Sequence, residues 1–65
     1  MTSPFQEFLN KEVKCPYKDG EQFKIARGKL IELTNGFVKI QGRLGTIVIN
    51  ERNVEKMSTL SYHNV

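Results

Sequence analysis

The chain has no tryptophan, one cysteine and one histidine. Cys15 has no intramolecular disulfide partner, so no cross-linked framework stands in for a core. With only His63 as companion it forms no Cys/His cluster of the kind that holds zinc. A lone cysteine on the apolar phase of a strand reads as a small buried hydrophobe, and it points to a reducing, cytoplasmic setting. There is no Ser/His/Asp set and no phosphate-cradling glycine loop, the seven acids are scattered, and His63 sits in a polar tail. These absences describe a non-enzyme with no cofactor, no metal and no small-molecule substrate. No apolar run approaches the length of a bilayer span. Met1 to Asn10 carries Pro, Gln and Glu in place of a basic start and an apolar stretch, which excludes a secretory signal within it. The expectation is a protein in solution with no membrane partner.

Sixty-five residues allow one domain, 1–65. A domain of that size buries only about 60% of the surface its unfolded chain exposes, so association with further copies would help it. Ten Lys and Arg against seven Asp and Glu leave a net charge of +3. The excess is concentrated, since Lys24, Arg27, Lys29, Lys39 and Arg43 face a single acid, Glu32, between Phe23 and Leu44. Such a run can be a patch for the phosphates of a polyanion. Equally, it can be the water-facing half of alternating strands. Sequence alone leaves both readings open.

Ser3-Pro4-Phe5-Gln6 has the form of a helix start, with Ser at the N-cap, Pro at the first helical position and Gln three residues after the cap. Phe5, Phe8 and Leu9 share one helical face, which predicts a short α-helix over about 4–10 laid on the core. Val13, Cys15 and Tyr17 alternate with polar residues and with Pro16, giving a strand over about 12–17. Pro16 belongs on an edge, at a strand end or at a bulge. Asp19-Gly20 marks a hairpin. A long second strand runs over about 23–33, with Gly28 suiting a bulge or a sharp bend. Asn35-Gly36 is a second tight turn, and strands over about 37–41, 46–50 and 54–58 follow, with Arg43 at the tip between the third and fourth. Ile47, Val48 and Ile49 are consecutive, β-branched and uncharged, so the fourth strand is apolar on both faces. The segment 59–65 is a mostly polar tail.

One short helix followed by five strands, the second bent at a glycine, resembles the small SH3-like barrels that include the Sm and Lsm proteins and the related Hfq. Gly28-Lys29-Leu30 looks like the Gly-x-Leu of the first Sm motif. Ile47 to Ser58 looks like the second, with an Ile-Val-Ile strand, a polar turn, Asn53-Val54 and a closing apolar residue at Met57. The chain departs from the family where the base pocket is usually built. Its third loop is reduced to Thr34-Asn35-Gly36, Asn50 and Glu51 stand at the Arg-Gly positions, and the Lys-His signature of Hfq is missing. The resemblance implies a mainly β, five-stranded SH3-like (Sm-like) barrel that binds single-stranded RNA. On the residues themselves, Asn35 and Asn50 could read a base edge, Phe37 could stack on it and Arg52 could hold its phosphate, with Lys39 and Arg43 of the basic run as further phosphate contacts. In the competing reading the two asparagines simply serve turns. The resemblance also implies a cyclic homo-oligomer, since Sm-like rings pair the fourth strand of one subunit with the fifth of the next. Ile47, Val48, Ile49, Val54 and Met57 would form that interface. A barrel serving only as a protein-interaction or assembly unit is the alternative.

Overall fold

The computed structural model describes residues 3–60. The expected segment 61–65 of the tail, with His63, lies outside them. The chain is mainly β, with five antiparallel strands in one sheet of order β4-β3-β2-β1-β5. The strands are β1 (Glu12–Asp19), β2 (Gln22–Thr34), β3 (Phe37–Gly42), β4 (Gly45–Asn50) and β5 (Ser58–Thr59).

Two-residue turns join the first four strands. Asn35 and Gly36 have φ of 50° and 79°, the pair of positive values that sends β2 straight back into β3. The β1 to β2 turn is Gly20-Glu21, one residue later than an Asp19-Gly20 turn, because Asp19 pairs with Gln22. Arg43-Leu44 closes β3 on β4 between the paired Gly42 and Gly45.

The 13-residue β2 is the spine, pairing with β1 through its first part and with β3 through its second. Gly28 sits at the crossover with φ of 155°. A Cβ there would collide with the backbone of Gln41 and come within 2.9 Å of the Gly42 Cα, so only glycine lets β3 lie this close. The bulge falls beyond Gly28, where the β2–β3 register shifts between Leu30 and Glu32. Ile31 is the extra residue. The shift moves the inward phase from even to odd positions, so that Leu30 and Leu33 both turn inward beside Ile40 and Val38.

Val13, Cys15, Ala26, Leu30, Val38, Ile40, Ile49 and Met57 form the buried core. Burial raises the Cys15 thiol pKa to about 11 from an ordinary 9.0.

Two sequence expectations are corrected. The predicted α-helix over 4–10 is a 3-10 turn, Gln6–Phe8. The Ser3 hydroxyl does accept the Phe5 N–H at 3.1 Å. Asn10, at φ of 68°, then turns the chain, and its N–H donates to the Leu30 carbonyl at 2.7 Å. Lys11 in turn accepts from the Leu30 N–H at 3.0 Å, so the sheet captures this backbone before a helix can propagate. Phe5, Phe8 and Leu9 still pack against the core.

The predicted fifth strand over 54–58 is replaced by a two-residue strand, Ser58–Thr59, whose second residue falls in the segment expected as tail and pairs with Val13. Val54 bridges Tyr17 and Ser58 pairs with Lys14, so one more residue is spent on this segment than on β1. The interruption lies opposite Pro16, whose carbonyl accepts the Glu55 N–H at 2.9 Å but which has no N–H to return. Met57 uses the slack to enter the core.

Candidate nucleic-acid interface

The residues singled out from sequence fall into two places. Asn35, Phe37 and Lys39 line a shallow depression of about 240 Å³ together with Glu32, Thr34 and Val48. Asn50 pairs across the sheet with Phe37, and Arg52 follows in the 3-10 turn Glu51–Asn53. Arg43 is at the opposite end of β3, in the β3–β4 turn.

The depression is less basic than its sequence promised. Lys39 Nζ lies 3.4 Å from Glu32 Oε1, and the Thr34 hydroxyl donates to Glu32 Oε2 at 2.8 Å. The Thr34 hydrogen bond, aided by the Lys39 charge, holds the Glu32 carboxyl below its ordinary pKa, so the acid stays charged and occupies the lysine. Asn50 Oδ1 accepts the Arg52 N–H at 3.1 Å, which caps the 3-10 turn. Asn35 supplies a positive φ. Both asparagines thus have turn duties, and Phe37, 44% exposed, lies beside exposed Val48 on the open surface of this site.

A second concavity is much larger, about 1110 Å³, and open. It lies along β2 and the β3–β4 hairpin, with Arg27, Lys29 and Arg43 as its cations and Glu12 as its one acid. Ile25, Leu44 and Ile47 give it apolar surface. None of the three cations forms an ion pair among the described residues. By contrast Lys24 is held by Asp19 at 2.8 Å, and that hydrogen bond raises the Lys24 pKa.

The proposed interface residues of the fourth and fifth strands also divide. Ile49 and Met57 belong to the chain's own core, and Val54 is half-buried against it. Ile47 shares the inward phase with Ile49, facing Ile40, but lies at the open side of the core. Val48 points the other way, opposite Lys39, and is 57% exposed.

Sequence reasoning missed Phe23 and Ile25, which are exposed although apolar. The signal was the phase of β2. Placing Ala26, Gly28 and Leu30 inside forces Phe23, Ile25, Arg27 and Lys29 to the other face. Among the described residues no helix is long and apolar enough to cross a membrane. No family model, no curated protein and no solved structure matches this chain.

Proposed function

We propose that the chain is a non-enzymatic, Sm-like module that binds single-stranded RNA and acts as a ring-forming homo-oligomer. The observation that carries the RNA reading is the broad groove in which Arg27, Lys29 and Arg43 face one carboxylate, Glu12. Three cations without competing ion pairs beside apolar surface suit a flexible polyanion with exposed bases. Support for the SH3-like barrel comes from the long β2 shared between two strand pairs, with its Gly28 crossover and its bulge at Ile31. Support for the ring comes from the sheet order. It leaves β4 at one edge and β5 at the other, so the edges of two copies could pair head to tail. Exposed Val48 and Ile47 also favour the second reading, an assembly unit that binds no nucleic acid.

A titration of the chain with labelled oligo-U, oligo-A and duplex DNA at two salt concentrations separates the two. Phosphate contact by three cations predicts single-strand affinity that falls with salt, with a log–log slope of about −2. No binding even at low salt leaves the assembly unit. Light scattering on the same samples reads the ring, and a monomer at high protein concentration overturns it.

A further inference from the structure

The β1–β2 hairpin presents a face that the core does not use. Its register is unbroken from Asp19 and Gln22 at the tip to Glu12 and Lys29 at the base, so side chains alternate strictly between two faces. Ala26 and Leu30 lie inside, and Phe23, Ile25 and Arg27 therefore line up outside. Across from them on the same outer face stand Lys18 beside Phe23, Pro16 beside Ile25 and Lys14 beside Arg27. Phe23 is 67% exposed and Ile25 52% exposed, so neither contributes much to this chain's own interior. Lys24, the hairpin cation that has a carboxylate partner, points with Asp19 to the opposite face.

We propose that this outer hairpin face is a stacking track for single-stranded RNA, with Phe23 as the base platform and Lys14, Lys18 and Arg27 as phosphate contacts. The inference rests on the RNA-binding reading and deepens it, because Arg27 and Ile25 also line the broad groove and make the two surfaces continuous. Charge decides the class of occupant. An apolar protein surface would satisfy Phe23 and Ile25 and strand the cations around them. A single strand offers flat bases to the ring and phosphates to the lysines and the arginine at once.

The test uses the whole chain. Phe23→Ala removes an exposed ring, so thermal unfolding stays at the wild-type midpoint while affinity for oligo-U and oligo-A falls about 5- to 150-fold. The track adds Lys14 and Lys18 to the three groove cations, which steepens the expected slope to about −3.5, and Lys14→Ala with Lys18→Ala reduces it by about 1.4. Phe23→Trp supplies a single tryptophan in a chain that has none, and stacking predicts that its fluorescence is quenched as RNA is added while affinity is kept. If wild type binds with a steep salt dependence, yet Phe23→Ala binds equally well and Phe23→Trp shows no quenching, the track is wrong and the RNA-binding reading stands. Should Phe23→Ala bind RNA normally but shift the oligomer size in light scattering, the face is a protein contact and the track is again wrong. Absence of binding by wild type at low salt removes the RNA-binding reading and the track with it.

Discussion

The first four residues of β2, Gln22 to Ile25, are exposed on both faces of the strand, whereas from Ala26 to Leu30 every second residue is buried. The same strand, paired to the same neighbour, thus passes from a hairpin standing in water to the wall of a core. Phe23 and Ile25 are larger and more apolar than Ala26 and Gly28, yet between Gln22 and Lys29 it is these two small residues that are buried. The difference shows what the interior needs here. At the crossover the strands approach so closely that volume is excluded, and hydrophobicity counts for less than fit. The bulky residues are left for surroundings outside this chain, and substitutions in the two parts of β2 should therefore have very different costs.

The largest effect is expected at Gly28. Gly28→Ala places a methyl group against the Gln41 backbone at a φ of 155°, where neither side can give by rotating a side chain. Strain of about 1–3 kcal/mol adds to overpacking of about 1–3 kcal/mol. A domain of this size holds only about 3–10 kcal/mol in total. The variant should lose most of its cooperative thermal transition by circular dichroism. A wild-type melt would mean that β2 and β3 are not in close contact at this point in solution.

The turns were legible because their chemistry is local. Asn35-Gly36 needs nothing from the rest of the chain to favour two positive φ values. Gly28 was legible as a break in the strand, but the bulge at Ile31 was not, because it answers to the pairing of Leu30 with Ile40 and Leu33 with Val38. The N-terminal helix failed for a similar reason, since the Leu30 backbone competes for Asn10 and Lys11. In the candidate site, Phe37 and Asn35 were found together, but the ion pair of Lys39 with Glu32 was not. It depends on two side chains that meet only once the bulged register sets residue 32 opposite residue 39. Phe23 and Ile25 were missed because an apolar residue in an alternating strand is ordinarily assigned to the interior, and here the turn and Ala26 fix the opposite phase.

A smaller effect is expected where the buried part of β2 begins, at the pair of Ala26 with Cys15. The folded thiol, with its pKa raised to about 11 from 9.0, holds its proton to higher pH than the unfolded one. Its contribution is whole below about pH 9 and is lost as pH rises towards 11, amounting to roughly 2–3 kcal/mol. Alkaline pH acts on the rest of the chain as well, so the informative quantity is a difference between variants. Denaturant midpoints of wild type and Cys15→Ala should converge between pH 9 and 11 after starting apart at neutral pH. Parallel curves would show that this end of the core admits water.

The smallest effect is expected at Ile25, one residue before Ala26 and on the other face. Ile25→Thr keeps the β-branch that suits a strand, and at 52% exposure the wild-type side chain has little buried area to lose. The change in unfolding free energy should stay within about 0.5 kcal/mol when measured by denaturant titration at low protein concentration. The same substitution at a buried β-branched position such as Ile40, 1% exposed, would place a hydroxyl in the core and forfeit packing, at a cost of a few kcal/mol. Repeating the Ile25→Thr titration at high protein concentration sharpens the contrast. A penalty that appears only there would mean that another copy covers the outer face of the hairpin, because mass action stabilises wild type through a contact that the variant has weakened. If the penalty instead exceeds about 1 kcal/mol at every concentration, the hairpin folds back onto its own chain, and the exposed start of β2 is not exposed in solution.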